Sequence, residues 1–243
     1  MIRCMSHLKD QVAIVTGGSS GIGLAIARAF VEEGMRVTIA AREKRRLEQA
    51  VSQLKSVSAG DGAVLAIKPD VSQAAEVQQM VRQTLDHFGR LDVLVNNAGI
   101  GRMVRLDELK EKDWDEILNI NLKGVFLCTQ AALPEMKRRR RGYVVNISSI
   151  AGKEGFVGGG AYCASKFGVM ALTQTLLEEA GSYNIRATAI CPGYVDTPMV
   201  AGAPVPGAEM IRPEDIARTV LYLLHLSENA VVREIVMTRK GAD

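Results

Sequence analysis

Val12-Ala13-Ile14-Val15-Thr16-Gly17-Gly18-Ser19-Ser20-Gly21-Ile22-Gly23 is the stretch that decides the fold of this chain. It joins an apolar, strand-like run to a helical pattern through glycines spaced G-x-x-x-G-x-G. Glycine permits a tight turn and a close approach of the backbone to a pyrophosphate, and a helix N-terminus attracts anions. A glycine-rich turn without a ligand is the alternative. We predict a dinucleotide-binding turn with contacts from Gly17, Ser19, Ser20, Gly21, Ile22 and Gly23.

The rest of the chain alternates short apolar runs with longer helical patterns. The apolar runs predict strands at residues 12–16, 36–41, 63–68, 91–96, 143–148, 185–190 and 233–238. The helical patterns lie at residues 21–33, 43–57, 72–88, 113–139, 162–180 and 213–226. Continuous apolar strands are typical of a parallel sheet that is buried on both faces. We therefore predict a single α/β domain over residues 1–243, a doubly wound parallel sheet (Rossmann fold) with helices on both faces.

Composition and charge exclude several classes of protein. The chain is 47% hydrophobic and 23% charged, with a net charge of +3, which is too small to indicate a nucleic-acid or membrane partner. The N-terminal segment lacks the apolar core of a signal peptide, and no apolar run is long enough to span a membrane. We therefore expect a cytoplasmic protein that begins at Met1 or Met5.

The cysteines and histidines carry no recognisable metal or redox motif. The four cysteines Cys4, Cys128, Cys163 and Cys191 are not paired at a short spacing, and the three histidines are far apart in the sequence. A CxxC motif or a zinc site would require closely spaced ligands. We expect reduced thiols and no bound metal.

The end of the second predicted strand indicates which dinucleotide would bind. A carboxylate at this point would hydrogen bond the ribose hydroxyls of NAD, but the sequence has Ala41 and then Arg42. Arginine can bind the 2′-phosphate of NADP with two hydrogen bonds. Arg45 and Arg46 lie close enough in the sequence to assist. We predict NADP(H) as the cofactor, the alternative being that Arg42 is only a solvated loop cation.

Several motifs together resemble the short-chain dehydrogenase/reductase family over residues 12–226. They are the turn at residues 16–23, Asn96-Asn97-Ala98-Gly99, Asn121, Ser149, Tyr162-x-x-x-Lys166, and Pro192-Gly193 with Thr197. Each motif is weak alone, but their number and order make the resemblance specific. Residues 143–199 are most similar to 3-oxoacyl carrier-protein reductases. The resemblance implies hydride transfer between a nicotinamide and a carbonyl compound or alcohol.

The resemblance also assigns cofactor contacts beyond the glycine turn. Asp70 and Val71 should contact the adenine, and Asn97, Ala98 and Gly99 should line the cofactor, while Asn96 joins the central strands. The nicotinamide carboxamide should be held after the sixth strand by Pro192, Gly193, Val195 and Thr197. The family further implies a homodimer or homotetramer joined through helices near residues 113–139 and 161–180.

The chemistry requires a proton for the alkoxide that hydride transfer leaves behind. A free tyrosine has a pKa near 10, so an active tyrosine needs that pKa lowered. Tyr162 and Lys166 share a helix face, and a nearby ammonium favours the phenolate. In the family this lysine also binds the nicotinamide ribose, Ser149 rather than Ser148 donates to the substrate oxygen, and Asn121 orients a water. The alternative for Tyr162 and Lys166 is an amphipathic face with a snorkelling lysine.

Two departures from the family pattern bear on the substrate and the oligomer. The substrate loop at residues 198–211 is short and rich in proline and glycine, so we expect an open pocket that closes weakly on cofactor binding. The C-terminus keeps a strand but loses the usual glycine pair, which weakens the expectation of the usual tetramer. This ending also resembles family members that act on hydroxy-amino acids or small carbonyl compounds.

Other features leave the function open. The cationic run at residues 137–141 is typical of a solvated helix end, with docking of an acidic carrier protein as the alternative. Trp114 and Phe126 fit the core or a subunit interface better than a substrate contact. A 3-oxoacyl thioester reductase, which could work on a carrier-linked substrate, a hydroxy-amino-acid or small-carbonyl dehydrogenase, and a catalytically idle NADP(H)-binding regulator remain possible.

Overall fold

The protein forms one seven-stranded sheet in which every strand pair is parallel. This computed structural model describes residues 7–58, 60 and 62–241, so the predictions made for Cys4 and for a start at Met5 lie outside the described residues. The strand order is β3-β2-β1-β4-β5-β6-β7, and the predicted doubly wound α/β fold is confirmed. The strands are β1 (Val12–Thr16), β2 (Arg36–Ala40), β3 (Val64–Ile67), β4 (Val93–Asn96), β5 (Gly142–Ile147), β6 (Ile185–Pro192) and β7 (Glu234–Met237).

Helices cover both faces of the sheet. They are α1 (Gly21–Glu32), α2 (Lys44–Lys55), α3 (Ala74–Phe88), α4 (Glu111–Leu118), α5 (Gly124–Arg139), α6 (Gly160–Ala180) and α7 (Pro213–His225). The core residues of α1, α2 and α7 belong to one apolar cluster, and those of α3, α5 and α6 to another. Because both faces are covered, the central strands β1 and β4 are buried along their whole length.

Most predicted boundaries lie within two residues of the observed ones, and three differences bear on the site. The stretch predicted as one helix from 113 to 139 is interrupted by a π-helical turn at Asn119–Lys123. Strand β6 runs two residues beyond its predicted end, because Cys191 and Pro192 pair with β7. Helix α6 begins at Gly160, two residues before Tyr162, which places the tyrosine inside the first turn.

The strand order reverses between β1 and β4, and ligands of such sheets bind at this point beyond the carboxyl ends of the strands. A buried hydrogen bond joins β4 to β5 at the same edge, where the Asn96 amide donates to the Asn146 side-chain oxygen over 2.9 Å. Asn146 in turn donates to Thr173 on α6 over 2.8 Å. The carboxyl ends of β4 and β5 are therefore linked by hydrogen bonds to α6, the helix that carries Tyr162.

No helix in the described part of the chain is long and apolar enough to cross a membrane. Among residues 7–58, 60 and 62–241, no group of three or more histidine, cysteine, aspartate or glutamate side chains is arranged to hold a metal ion. The described cysteines Cys128, Cys163 and Cys191 are free thiols and are buried.

Candidate active site

The glycine turn is fastened to the end of β4 through Thr16, the last residue of β1. The Thr16 hydroxyl accepts from the backbone N–H groups of Asn97 at 3.0 Å and Ala98 at 3.1 Å, and it donates to the Val95 carbonyl. The Asn97 side-chain amide donates to the carbonyls of Thr16 and Gly17. This role of Thr16 was not predicted from the sequence. Its position between a strand and the glycine run was the available signal.

Two glycines of this turn have no room for a side chain. Gly17 has a φ of +66°, and a Cβ there would lie 2.7 Å from the Asn97 amide nitrogen and 3.0 Å from the Ala98 Cα. A Cβ on Gly23 would overlap the Gly17 carbonyl oxygen and would lie 2.5 Å from the Asn97 amide nitrogen. Both obstacles include backbone or hydrogen-bonded atoms that cannot move freely. The glycines thus bring strand, turn and helix together closely enough for the backbone to face a ligand.

The first turn of α1 has backbone donors that the protein does not cap. Ser20 is the residue before the helix, its side chain makes no capping hydrogen bond, and the first turn contains no acidic residue. Ser19, Ser20, Gly21 and Ile22 all remain partly accessible. Thr197 lies directly over this turn, since a Cβ on Gly21 would be 3.0 Å from the Thr197 methyl carbon. The cradle fits the pyrophosphate of a dinucleotide.

Arg42 lies beyond the end of β2, on the same edge of the sheet. It is exposed, and it makes no ion pair with any described residue. Arg46, predicted as a helper, is instead paired with Glu43, with 2.7 Å between Arg46 Nε and Glu43 Oε2. Arg45 is exposed. Within the described chain Arg42 and Arg45 are thus both left without an ion pair at this end of the sheet, and Arg42 is the one whose charge acts on Asp70.

Asp70 is held as a carboxylate near Arg42. Burial raises the pKa of Asp70, but hydrogen bonds from Ser72 and the charges of Arg42 and Lys123 outweigh it, so the pKa is lowered. One carboxylate oxygen, Oδ1, accepts both Ser72 bonds, at 2.9 Å and 2.7 Å. The second oxygen can therefore accept a hydrogen bond from a bound adenine.

Three residues predicted as cofactor contacts have a side chain or an N–H group that the fold already engages. Val71 packs its side chain against the start of α5 at Gly124, and Val195 is buried in the core, so only their main chains could reach a ligand. The N–H of Gly193 donates to the Met237 carbonyl at 2.8 Å, because β6 continues to Pro192 and pairs with β7. The assigned contacts of Val71, Gly193 and Val195 stay predictions for main-chain atoms.

The two serines at the end of β5 have different surroundings. Ser148 is buried, and its hydroxyl donates to the Lys166 carbonyl over 3.2 Å. The Ser149 hydroxyl lies close enough to the Tyr162 phenol to lower the pKa of that group. It also accepts from the Ala151 N–H at 3.1 Å and donates to the Pro192 carbonyl over a long 3.4 Å. A bond of that length is weak, so the Ser149 hydroxyl can turn to another acceptor. Of the two serines, only Ser149 is placed to contact a substrate beside Tyr162.

The pKa of Tyr162 differs from the sequence-based expectation. Burial raises it, and although hydrogen bonding with Ser149 opposes this, the pKa of Tyr162 lies above its usual value rather than below it. Lys166 is buried as well, which lowers the pKa of its ammonium to about 8. Its Nζ donates to the Ile147 carbonyl at 2.8 Å and lies 5.7 Å from the centre of the Tyr162 ring. The lysine therefore lies too far from the phenol to offset the effect of burial on the pKa of Tyr162.

Asn121 lies in the π-helical turn, and its side chain is already engaged. Its amide donates to the Ile100 carbonyl at 2.8 Å and to the Ser165 hydroxyl at 3.1 Å, and its oxygen accepts from the Ile100 N–H at 2.8 Å. Ser165 donates to the Tyr162 carbonyl at 2.7 Å. Both amide hydrogens are used, so a side-chain donor for a relay water is not available. Asn121 instead joins the loop after β4 to the turn of α6 that carries Tyr162, a link through Ser165 that the motif alone did not predict.

The substrate loop at 198–211 contains two short 3-10 turns and no α-helix. Its ends are joined, because Ile211 donates to the Tyr194 carbonyl and Asp196 donates to the Ile211 carbonyl, each at 2.9 Å. Weak closure of this loop stays a prediction.

Outside the site, Trp114 and Phe126 are exposed, which excludes the core and leaves the interface interpretation.

The side chains of the cationic run at 137–141 already contact neighbouring residues of this chain. Arg138 pairs with Glu135 at 2.8 Å, Arg141 with Glu228 at 3.5 Å, and Arg140 donates to the Ser182 carbonyl. Lys137 lies 4.9 Å from the centre of the Tyr183 ring. These contacts favour the solvated helix end over a free docking surface.

The chain is similar in sequence and fold to proteins of a known family. The sequence model of the family described as short chain dehydrogenase matches residues 11–204. The chain is 35% identical over 240 residues to the 3-oxoacyl-[acyl-carrier-protein] reductase of Thermotoga maritima, covering 95% of this chain and 96% of the relative. It is 37% identical over 238 residues to the 3alpha-hydroxysteroid dehydrogenase of Mediterraneibacter gnavus, covering 94% and 95%. An alcohol dehydrogenase from the archaeon Thermococcus sibiricus, solved with 5-hydroxy-NADP, superposes with a TM-score of 0.85 at 34% identity, covering 95% and 97%.

Proposed function

This chain belongs to the short-chain dehydrogenase family of oxidoreductases, and on that premise we propose that it reduces a carbonyl compound to an alcohol with NADP(H), Tyr162 acting as the proton donor. The supporting observation is that Ser149, Tyr162 and Lys166 lie together beyond the carboxyl ends of the strands. The glycine turn lies at the same end of the sheet. Ligands bind at this edge in doubly wound sheets. We assign the three residues to the chemistry and Asn121 to the positioning of Tyr162.

The side chains can perform the proton transfer that reduction requires. NADP(H), when bound, supplies the hydride. The Ser149 hydroxyl can leave its long bond to Pro192 and donate to the substrate oxygen, while the Tyr162 phenol donates the proton. Because burial raises the pKa of Tyr162, the phenol is protonated at neutral pH and ready for reduction. Oxidation of the alcohol needs the phenolate, so its rate should rise with pH.

NADP(H) is the proposed cofactor because of Arg42. The end of β2 offers this arginine and no carboxylate, and a 2′-phosphate binds arginine through charge-assisted hydrogen bonds. Two related structures support the assignment, since the alcohol dehydrogenase was solved with 5-hydroxy-NADP and a metagenomic short-chain oxidoreductase with NADP. The uncapped start of α1 supplies donors for the pyrophosphate.

The substrate has two candidate classes. Relatives named 3-oxoacyl-[acyl-carrier-protein] reductase favour a carrier-linked thioester. The relative named 3alpha-hydroxysteroid dehydrogenase and the neighbour named levodione reductase favour a free alcohol or carbonyl compound. The common element is a carbonyl group or secondary alcohol at Tyr162. The surface beside Tyr162 bears on the choice between the two classes.

The experiment that tests the proposal is NADPH oxidation by wild type and Tyr162→Phe. The panel contains acetoacetyl thioesters, diketones, aldehydes and, in the reverse direction, hydroxy-amino acids, with NADH in parallel. Loss of the proton donor should lower kcat by about 100- to 10,000-fold. Tyr222→Phe, which removes an exposed hydroxyl on α7, is the matched control and should leave kcat unchanged. Tight NADPH binding without any turnover would instead indicate a regulator.

We also propose a cytoplasmic homo-oligomer. Phe126 on α5 and Phe167 on α6 are both exposed, as is Trp114 on α4, and exposed aromatic side chains on neighbouring helices are typical of a subunit interface. Buried free thiols at Cys128, Cys163 and Cys191 suit a reducing compartment. Light scattering of wild type and Phe126→Glu tests the oligomer, and a monomeric wild type would contradict it.

A further inference from the structure

An apolar wall stands beside Tyr162, and none of the recognised motifs includes it. The wall consists of Met103 and Leu106 from the loop after β4 and Phe156 from the loop after β5. Gly101 lies between the wall and the phenol, because a Cβ there would be 3.7 Å from Met103 Cε and 3.8 Å from two ring carbons of Tyr162. The wall is therefore continuous with the catalytic side chain.

Two glycines that precede Tyr162 in the sequence let the wall pack against the start of α6. A Cβ on Gly159 would lie 2.7 Å from the Phe156 ring, and a Cβ on Gly160 would overlap the Leu106 side chain. The two loops are also joined, since Val104 donates to the Gly158 carbonyl at 2.9 Å. The apolar side chains thus pack against the start of α6, next to the reacting group.

The wall is exposed in a way that needs an explanation. Leu106 is 73% exposed, Met103 57% and Phe156 44%, and the neighbouring Val157 is 82% exposed. Contiguous exposed apolar side chains usually mark a site that binds something apolar. Here the patch borders the point where the substrate oxygen would meet Tyr162, so the rest of the substrate must pass over it.

The cations of the same two loops are already paired with carboxylates. Arg102 pairs with Asp113 and Glu116, both at 2.6 Å, and Lys153 pairs with both oxygens of Glu234, at 2.8 Å and 2.9 Å. Arg105 has Asp107 at 3.5 Å. Within the described chain, Glu154 makes no ion pair. Loops 100–106 and 153–159 therefore offer no free cation to an anionic carrier arm.

We propose that the wall of Met103, Leu106 and Phe156 selects a neutral carbonyl compound or alcohol with an apolar chain or ring, and not a carrier-linked thioester. This inference rests on the proposed function, since it places the substrate carbonyl at Tyr162. The wall acts on substrate binding by removing apolar surface from water. It determines specificity and takes no part in proton transfer.

The test is a homologous series of methyl ketones from butan-2-one to nonan-2-one, with acetoacetyl-CoA for comparison. We expect kcat/KM to rise about two- to four-fold per added methylene through KM, because a buried CH₂ contributes up to about 0.8 kcal/mol. Leu106→Ser should flatten this rise by raising KM for the longer ketones more than for the shorter ones. Val231→Ser, an exposed apolar residue remote in sequence from both loops, is the matched control and should preserve it.

Binding is measured independently of turnover, by calorimetry of the NADPH-loaded protein with the corresponding secondary alcohols. Affinity that rises with chain length in wild type and Val231→Ser but not in Leu106→Ser supports the wall. Equal affinity along the series, or a preference for acetoacetyl-CoA, overturns it. Chain-length-dependent binding without turnover of any ketone would contradict the proposed function and keep the wall.

Discussion

The glycines of the β1–α1 turn and the glycines in front of Tyr162 are crowded by different kinds of atom. A Cβ on Gly23 would meet the carbonyl of Gly17, which belongs to the backbone. A Cβ on Gly160 would meet the far end of the Leu106 side chain, which can rotate away. The β1–α1 turn therefore cannot accept a side chain at Gly23 without a shift of the backbone. The turn before α6 can accept one at Gly160 if the Leu106 side chain moves.

This difference divides the site into a fixed part and an adjustable part. The cofactor side is built from backbone that Thr16 and Asn97 lock to β4. The substrate side is built from exposed side chains on loops. A substitution on the cofactor side should therefore abolish a function, while one on the substrate side should change which molecule is preferred. Four predictions test this division, in order of falling effect.

Gly23→Ala should have the largest effect. The new methyl group overlaps the Gly17 carbonyl oxygen and lies 2.5 Å from the Asn97 amide nitrogen, so the turn must open. We expect NADPH affinity to fall by more than about 100-fold and stability to fall by about 1–3 kcal/mol, the usual cost of overpacking. Fluorescence titration with NADPH and urea unfolding measure both. Gly181→Ala, with no atom within 4 Å of its Cβ, is the control. Unchanged affinity in Gly23→Ala would end the distinction between the two turns.

Lys166→Met tests how the buried ammonium of Lys166, next to Tyr162, affects the pH dependence of stability. Burial lowers the pKa of Lys166 from 10.5 to about 8, so the unfolded chain binds more protons between these values. The stability of wild type should therefore rise as pH increases from about 8 to about 10.5, by about 2–3 kcal/mol from this group. The variant should lack that rise.

Urea unfolding of both proteins at about pH 7 and about pH 10 measures the effect as a difference of differences. The comparison removes the pH-independent effects of the substitution, such as the change in side-chain packing. Lys112→Met, an exposed lysine on α4, should behave as wild type. A Lys166→Met variant whose stability follows wild type at both pH values would show that the ammonium is not strained by burial.

The sequence predicted the fixed part of the site better than the adjustable part. The glycine turn follows from residue types and spacing, because only glycine permits these backbone contacts, and all seven strands lie where apolar runs predicted them. The π-helical turn at Asn119–Lys123 was not predicted, since its residues continue a helical pattern. The end of β6 was missed because Pro192 is a poor strand residue that nevertheless pairs with Met237.

The pKa of Tyr162 shows why residue spacing alone gave a wrong prediction, namely that Lys166 lowers this pKa. Four residues of separation place Tyr162 and Lys166 on one helix face, and that much is observed, with 5.7 Å between the lysine nitrogen and the ring centre. Spacing carries no information on burial, which dominates the pKa of both groups. The apolar wall was not predicted either, because Leu106 and Phe156 are far apart in sequence, and only the fold brings them to Gly160 and Gly159 at the start of α6.

Arg42→Asp should have the third-largest effect. It removes the cation available for a 2′-phosphate and adds a carboxylate that can bind ribose hydroxyls. We expect NADPH affinity to fall about 10- to 100-fold and NADH affinity to rise, because charge-assisted hydrogen bonds contribute about 1.5–3 kcal/mol. Arg46→Asp is the matched control, since Arg46 is already paired with Glu43. If Arg46→Asp impairs NADPH binding as much as Arg42→Asp, the phosphate site is misassigned.

Gly160→Ala should have the smallest effect and is the sharpest test of the adjustable part. Leu106 must leave its seat, so we expect KM for the longest methyl ketones to rise about two- to four-fold, with kcat unchanged. Alanine also favours the helix over glycine by up to about 1 kcal/mol. The variant should therefore be as stable as wild type or slightly more so while it discriminates less between ketones.

Steady-state kinetics along the ketone series and a thermal melt separate these two consequences of Gly160→Ala. Gly155→Ala, in the same loop but with no atom within 4 Å of its Cβ, should leave the chain-length dependence unchanged. A large loss of kcat in Gly160→Ala would mean that the added methyl group displaces Tyr162 as well as Leu106. The second glycine turn would then be as rigid as the first, because both would be built around a group that cannot move without loss of the reaction.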